Sequence, residues 1–182
     1  MIRFFDVMFS FLGLILFSPI FLVLFFIGYF DTGSPIFRQI RVGKNRHPFA
    51  LFKFRTMHVN TKSVATHLVQ QSSITKFGSF LRKTKLDELP QLWNVFMGDM
   101  SLVGPRPNLP NQEELIQERA ARSVYAVRPG ITGLAQIQEI DMSTPKLLAE
   151  KDSEMIANLN IANYFKYILL TVSGKGQGDR VK

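Results

Sequence analysis

The feature that most constrains this chain is an uninterrupted apolar run near its beginning. From residue 7 to residue 30 the sequence holds no charged side chain. As a helix that rises about 1.5 Å per residue, this run would be about 36 Å long, which is enough to cross a bilayer. It is longer than the apolar core of a cleaved signal peptide, and no small-x-small cleavage site follows it. The sequence therefore predicts a membrane segment.

The residues are compatible with two arrangements of this segment. The simpler one is a single helix that spans the bilayer. Pro19, near the middle, would however remove a helical hydrogen bond and bend the axis, while Ser18 can hydrogen-bond a carbonyl that the proline frees. A bent helix could enter the bilayer and return to the same side. The basic residues between 38 and 46 place the following domain on the cytoplasmic side.

Composition limits the kinds of site that the rest of the chain can build. The 182 residues suffice for one domain with a modest core, and no internal repeat is visible. Cysteine is absent, which excludes disulfides and thiolate zinc sites, and His47, His58 and His67 lack the spacing of a ligand set. Any metal should therefore be a hard, oxygen-bound ion. The net charge of +8 suits a membrane surface, a nucleotide or a nucleic acid, without choosing among them.

The candidate chemical centre is an adjacent pair of carboxylates, Asp87 and Glu88. No acidic residue occurs between Asp31 and Asp87, whereas that interval holds eleven Lys and Arg residues. The pair is thus the first negative charge after a long cationic stretch, and such a stretch attracts phosphates. Downstream, Arg106 lies between two prolines that fix the backbone on both sides, which suits a loop that presents one guanidinium in one direction. A guanidinium matches two phosphate oxygens at once.

A helix is predicted over the acidic pair. Thr84 can cap it, and Pro90, which is tolerated in a first turn, places its beginning near Leu86 or Asp87. The inward face is marked by apolar residues at helical spacing, which are Leu86, Leu89, Trp93 and Phe96. The carboxylates would then lie near a helix N-terminus, which favours an ionised carboxylate or a bound phosphate. Simple helix capping is the alternative role of the pair.

A β-hairpin is predicted after the membrane segment. Two strand-like runs, 36–42 and 49–54, flank a Gly-Lys-Asn-Arg-His-Pro turn. The phenylalanines of these runs fit a core, namely Phe37, Phe49, Phe52 and Phe54. Lys53 and Arg55 flank Phe54 and should share the opposite, polar face.

Most of the remaining segments are predicted as helices. Residues 74–81 and the cations around them have the profile of an interfacial helix or of an ordinary core helix. A charged helix is expected over 111–126, with Glu113 and Glu114 facing solvent. Pro145 opens a helix over 146–158, and an apolar stripe after residue 160 predicts a last helix that can also lie on a membrane. Residues 59–73 give no periodic pattern, and 174–178 indicate a flexible end.

Three separate motifs carry a resemblance to one family. They are KFRTM at 53–57, LDELPQLWNVFMGDMSLVGPRP at 86–107 and RPGITGLAQ at 128–136. In this order they resemble the bacterial sugar transferases, which are monotopic polyprenyl-phosphate phosphoglycosyl transferases, and the likeness reaches to about residue 152. It implies an α+β, mainly helical fold with interfacial amphipathic helices. It also implies a re-entrant membrane helix in residues 1–30 and a cytoplasmic catalytic domain in residues 31–182.

The same resemblance implies a reaction and a site. The family transfers a sugar phosphate from a UDP-sugar to polyprenyl phosphate, such as undecaprenyl phosphate, with release of UMP. This is the first membrane step of surface glycan assembly at the bacterial inner membrane. Asp87 matches the nucleophile, which forms a phosphoglycosyl-aspartate, and Asp87 and Glu88 would hold Mg²⁺. The matching substrate-binding residues are Lys53, Arg55, Arg82, Arg106, Gln136 and Asp152.

The sequence departs from the family just after Gln136. Many members continue with Asn-Gly-Arg, whereas this chain has Gln138, Glu139 and Ile140, so a cation associated with the substrate diphosphate is missing. The identity of the sugar is therefore not predicted. The competing function is that of a membrane-tethered basic module that binds anionic lipid or nucleic acid without catalysis. The acid-free stretch motivates it, but no motif for base recognition accompanies that stretch.

Overall fold

Helices predominate in this chain, and the strands form two small pairs. A computed structural model describes residues 1–61 and 71–176. The helices are α1 (Ile2–Leu16), α2 (Ser18–Thr32), α3 (Lys76–Thr84), α4 (Gln91–Met97), α5 (Glu113–Ala121), α6 (Leu134–Ile137), α7 (Pro145–Ala157) and α8 (Ile161–Val172). The strands are β1 (Ile36–Val42), β2 (Pro48–Phe54), β3 (Ser101–Val103) and β4 (Gly130–Thr132). This is the mainly helical α+β arrangement that the sequence predicts.

The apolar segment forms two helices instead of one. The axes of α1 and α2 meet at Phe17 with a bend of 62°. Pro19 lies in the first turn of α2, and the Ser18 hydroxyl donates to the Ile15 carbonyl at 2.8 Å, as predicted for a freed carbonyl. Among the described residues no single helix has the length and apolar composition to cross a bilayer, whereas the bent pair taken together has both. The single unbroken helix is therefore wrong.

A buried carboxylate fixes α1 to the rest of the chain. Asp6 is 2% exposed, and its Oδ1 accepts hydrogen bonds from the Ser101 hydroxyl at 3.0 Å, the Leu102 N–H at 2.9 Å and the Tyr164 hydroxyl at 2.9 Å. Burial, together with the charge of Asp6, raises the pKa of Tyr164, so that its hydroxyl stays a donor. Because the donors come from β3 and α8, one side chain joins three elements.

The predicted hairpin is confirmed. β1 and β2 pair antiparallel, from Ile36 opposite Phe54 to Val42 opposite Pro48. Asn94 of α4 completes the outer edge of β2, because its Oδ1 accepts from the Phe52 N–H at 3.1 Å and its Nδ2 donates to the Ala50 carbonyl at 2.7 Å. The side chain of Asn94 is fully buried, so this contact seats α4 firmly against the hairpin.

The face of the hairpin that carries Lys53 is buried, and the predicted polar face is therefore wrong. Lys53 is 8% exposed and lies two residues after Leu51, on the same face of β2. Leu51 packs with Val95 and Met100. The other face is covered as well, because Phe54 packs against α2 and α3. Both faces are covered because helices from distant parts of the chain pack on each side, and such packing is not visible in the alternation of the strand.

A second strand pair, β3 and β4, was not predicted. It is parallel, with Ser101 opposite Gly130 and Val103 opposite Thr132. At its end the backbones approach so closely that a Cβ on Gly130 would lie 2.0 Å from the Gly104 nitrogen. Only glycine fits there, and the two proline-containing loops, residues 104–107 and 128–130, are thereby held side by side.

The remaining helices follow the predictions with one correction. The helices predicted over 74–81, over 146–158 and after residue 160 are α3, α7 and α8. The charged helix predicted over 111–126 is shorter: α5 ends at Ala121, and a 3₁₀ turn at Val124–Ala126 follows Ser123, whose φ is 56°. Glu113 and Glu114 are exposed as predicted. Residues 62–70 of the polar segment, and 177–178 of the expected flexible end, lie outside the described residues.

Candidate active site

Asp87 and Glu88 lie in a short 3₁₀ turn, Leu86–Glu88, between two helices. Helix α4 begins only at Gln91, so the predicted start near Leu86 or Asp87 is wrong. Packing holds this turn in place, because Leu86 at its start and Leu89 just after it contact the cluster of Phe54, Leu24 and Leu81. Leu24 belongs to α2, and the apolar helix pair therefore lies directly beneath the acidic turn.

Two further features of the predicted helix are wrong. Thr84 is no cap, because it is the last residue of α3 and its hydroxyl donates to the Phe80 carbonyl at 3.0 Å. Lys85 then takes a left-handed φ of 58°, which ends α3 and redirects the chain into the turn. Trp93 is 48% exposed, because α4 begins later than predicted and other residues form the buried face of that helix. These residues are Gln91, Asn94 and Val95.

Two predicted cations meet at Glu88. Its Oε1 lies 3.1 Å from Arg106 Nη2 and 3.6 Å from Lys53 Nζ. The three side chains come from the acidic turn, the loop after β3 and the strand β2. Asp87 beside them is 6% exposed. The structure thus brings the Glu88 carboxylate together with two cations, from positions up to 53 residues apart, and Asp87 lies next to Glu88 in the same turn.

A small cleft at this point also contains residues that the sequence did not single out. Arg41 and Gln91 line it together with Lys53, Glu88 and Arg106. Arg41 is 7% exposed and donates from Nη1 to the Pro107 carbonyl at 3.0 Å. Arg41 could have been predicted from the register of the hairpin, because the side chains of Arg41 and Lys53 lie on the same face. Three cations around one cleft suit a diphosphate.

Two other predicted cations have their own partners on the flank of the site. Arg82 donates from Nε to the Thr56 hydroxyl at 3.0 Å, just beyond β2. Arg55 donates from Nε to the Ser34 carbonyl at 2.8 Å, and its guanidinium lies 5.3 Å from the centre of the Phe37 ring. These contacts place Arg82 beside the strand of Lys53 and Arg55 beside the end of α2. Their role in substrate binding stays a prediction.

Asp152 lies behind the loop of Arg106. It is 1% exposed, and its Oδ2 accepts from Arg119 Nε at 2.9 Å and Nη2 at 2.6 Å. Arg119 Nη1 in turn donates to the Arg106 carbonyl at 2.8 Å. Burial raises the pKa of the Asp152 carboxyl, and the charge of Arg119 opposes this rise. Arg119 was not predicted from the sequence. It lies four residues after Leu115, and this helical spacing places both side chains on the buried face of α5.

Gln136 lies on the short helix α6, which follows strand β4 in the chain. Its Nε2 donates to the Ile131 carbonyl at 3.4 Å, and Ile131 lines the cationic cleft. The structure therefore connects Gln136 to the cleft through the backbone of Ile131. Direct contact of its side chain with a nucleotide or a phosphate stays a prediction.

A hard divalent ion at the acidic pair would have to take most of its ligands from the substrate and from water. Within residues 1–61 and 71–176 there is no group of three or more His, Asp or Glu that could hold a metal. Mg²⁺ does not need such a group, because it commonly binds one or two carboxylates together with substrate phosphates and water. Asp87 and Glu88 would be the two carboxylates of such a site, and Mg²⁺ binding stays a prediction.

Comparisons with known proteins identify the family. An uncharacterized sugar transferase of Haemophilus influenzae is 37% identical over 188 aligned positions, gaps included, and the match covers 92% of this chain and 39% of that protein. The uncharacterized sugar transferase EpsL of Bacillus subtilis is 43% identical over 141 residues, with 77% and 69% covered. A UDP-glucose:undecaprenyl-phosphate glucose-1-phosphate transferase of Klebsiella pneumoniae is 46% identical over 139 residues, with 72% and 30% covered. The match thus spans less than half of two of these relatives. Residues 1–176 match the bacterial sugar transferases, and the chain belongs to that family.

Proposed function

We propose that this protein transfers a sugar phosphate from a UDP-sugar to polyprenyl phosphate, with undecaprenyl phosphate as the acceptor. The observation that supports this most directly is the acidic turn itself, where Asp87 lies beside Glu88 and Glu88 is held by Arg106 and Lys53. The name of the Klebsiella relative supports the same two substrate classes. The membrane helix pair beneath the turn supports a lipid acceptor.

The reaction proceeds in two displacements at one phosphorus atom. A carboxylate oxygen of Asp87 attacks the β-phosphorus of the UDP-sugar, and the bond to the bridging oxygen breaks, so that UMP leaves with the electron pair. A phosphoglycosyl-aspartate remains. A phosphate oxygen of the polyprenyl phosphate then attacks the same phosphorus. The acyl phosphate bond breaks, and the Asp87 carboxylate is restored.

The cations of the cleft make the first displacement feasible. A carboxylate and a diphosphate repel each other, and Lys53, Arg41 and Arg106 offset this repulsion where the two must meet. Glu88 keeps two of these cations in position. Asp87 and Glu88 would hold Mg²⁺, which supplies further positive charge beside the diphosphate oxygens.

The same proposal places the protein on the cytoplasmic face of the bacterial inner membrane. Helices α1 and α2 enter one leaflet and return, and the catalytic domain stays in the compartment that holds UDP-sugars. The bend of 62° supports this arrangement, as do outward apolar side chains of α2 such as Leu22 at 61% and Phe26 at 59% exposure. There the enzyme begins the assembly of a surface glycan.

The test is to supply purified full-length protein with polyprenyl phosphate and a panel of UDP-sugars, and to measure UMP. At least one sugar should give sustained UMP release together with a lipid-linked sugar phosphate. Chelation with EDTA should stop the release, and Mg²⁺ should restore it. A blank across the whole panel would contradict the proposal and favour a membrane-tethered module that only binds.

A further inference from the structure

An apolar groove lies beside the acidic turn, between α4, the β3–β4 pair and α8. Most of its wall is aliphatic, contributed by Leu89, Leu92, Leu102, Ile131, Ile168 and Val172. The threonines of the wall, Thr132 and Thr171, hydrogen-bond to each other, and Thr171 also donates to the Tyr167 carbonyl at 3.0 Å. Their polar atoms are therefore satisfied within the protein, and the groove suits a hydrocarbon.

One end of the groove is the candidate active site. Glu88 and Ile131 line both the groove and the cationic cleft of Lys53 and Arg106. Lys85, three residues before Glu88, lines the groove as well. A molecule that fills the groove and reaches the cleft must therefore have an apolar body and an anionic end.

The groove also borders the membrane helix pair. Leu92 packs against the last turn of α1, where a Cβ on Gly13 would lie 3.0 Å from Leu92 Cδ1. At the end of α8, Val172 lines the groove and is 80% exposed. Exposed aliphatic side chains beside an apolar helix pair indicate apolar surroundings. Such a surface would let a hydrocarbon chain pass from a bilayer around the helix pair into the groove without crossing water.

We infer that this groove binds the first isoprene units of the polyprenyl phosphate, and that it guides the lipid phosphate to the cationic cleft beside the acidic turn. The inference rests on the proposed function and adds the place where the acceptor enters. The nucleotide sugar then occupies the cationic cleft, while the acceptor arrives from the side of α8. The two substrates reach the same phosphorus atom from different directions.

A pair of matched variants on α8 tests the groove. Val172→Asp places a charge on the groove wall, whereas Leu169→Asp places the same charge on the same helix outside the groove. Val172→Asp should raise the KM for polyprenyl phosphate about tenfold, because a charge opposes the burial of the chain. Leu169→Asp should keep the wild-type KM. Rates are normalised to the burst of UMP released by UDP-sugar alone, which counts the competent molecules. Equal shifts in the two variants, or none in Val172→Asp, would overturn the inference.

Crosslinking separates this inference from the proposed function. A polyprenyl phosphate with a diazirine near its phosphate should label Leu92 of α4 or Ile168 of α8 in the full chain. Unlabelled polyprenyl phosphate should prevent the labelling, and the same concentration of phosphatidylglycerol should not. Equal protection by both would overturn the groove as a site for this substrate, and normal turnover with labelling elsewhere would overturn it too. Labelling of the groove in a protein that releases UMP from no UDP-sugar would support the groove and contradict the proposed function.

Discussion

Asp87 and Glu88 are neighbours in the sequence with different surroundings in the structure. Glu88 already shares its Oε1 with Arg106 and Lys53, whereas Asp87 lies deeper in the turn at 6% exposure. The family resemblance assigns the nucleophile to Asp87, and the ion pairs of Glu88 with Arg106 and Lys53 suit it to keeping these cations in position. Under the proposed function, the attack therefore belongs to Asp87 and the support to Glu88.

Asp87→Asn should lower the rate of sustained UMP release by more than about 10³-fold, because the amide keeps the shape of the side chain but is a poor nucleophile. Membrane binding should survive. Glu113→Gln, which neutralises an exposed acid on α5, should keep the wild-type rate. Near wild-type release by Asp87→Asn, under conditions that prevent deamidation, would show that Asp87 is not the nucleophile.

The loop of Arg106 is supported by residues from other elements. The Arg106 carbonyl accepts from Arg119, and the next carbonyl, that of Pro107, accepts from Arg41. Arg119 is in turn held by Asp152, and both side chains are almost fully buried. The loop is therefore held by two buried guanidinium groups, and we regard Asp152 as a positioning residue that acts through Arg119.

Asp152→Asn should destabilise the protein by about 3 kcal/mol, since it leaves the charge of Arg119 buried without a counter-charge. It should also raise the KM for the UDP-sugar about tenfold by displacing Arg106. In an Arg106→Lys background the same change should add little to the KM, while the loss of melting temperature should persist. Losses in KM that simply add up would indicate that Asp152 contacts the substrate itself.

At the scale of the elements, helix α1 is attached to the catalytic part by its charged end. The Arg3 guanidinium donates to the Val95 carbonyl at 2.6 Å and the Phe96 carbonyl at 3.0 Å, at the C-terminal end of α4. Asp6, one turn later, accepts from β3 and α8. The first turns of α1 thus belong to the structure of the site, although their sequence resembles the beginning of a membrane anchor.

Asp6→Leu should lower the free energy of unfolding by about 2–4 kcal/mol, because two buried hydroxyl donors and one partly buried N–H lose their acceptor. Asp6→Asn retains the Oδ1 acceptor and should cost clearly less. Melting temperatures in one detergent measure the difference. Equal losses in the two variants would mean that the charge of Asp6, and not its hydrogen bonds, holds the helix.

The elements that could be predicted are those whose signals are local. The hairpin follows from two neighbouring runs and a turn, and α7 follows from Pro145 at its start. The parallel pair of β3 and β4 could not be predicted, since strands of three residues carry no pattern and pair across almost thirty residues. The helix start was wrong because Pro90 fits the first turn of a helix beginning at Leu86 as well as it fits the position just before α4. For the site, the motifs pointed to Lys53, Glu88 and Arg106, which the structure brings together. The support of Arg106 by Arg119 depends on packing between helices and could not be predicted.

The bend between α1 and α2 can be tested through the topology of the whole chain. The chain is free of cysteine, so Phe4→Cys and Arg180→Cys each introduce a single reporter for an impermeant thiol reagent on intact cells. Under the re-entrant arrangement, both sites should stay protected until the cells are opened. Pro19→Leu removes the cause of the bend, and a fraction of the molecules should then expose residue 4. Labelling of residue 4 in the unmodified background would show a spanning segment.

At the scale of the whole molecule, the proposed function requires that one site serves two substrates in turn. The cationic cleft and the apolar groove meet at Glu88, so the sugar donor and the lipid acceptor compete for the space around a single carboxylate. A covalent intermediate resolves this competition, because UMP can leave before the lipid phosphate arrives. The order of events is therefore a property of how the cleft and the groove are joined.

This order predicts ping-pong kinetics. With UDP-sugar alone and concentrated enzyme, UMP should appear in an amount bounded by the number of active sites, and the protein should gain the mass of a sugar phosphate. Addition of polyprenyl phosphate should remove that mass, and double-reciprocal plots for the two substrates should be parallel. Direct attack by the lipid phosphate would need the same cations but no acyl phosphate. Intersecting plots, with no adduct trapped at any time in wild-type protein, would indicate that direct route and reduce Asp87 to a ligand of the metal.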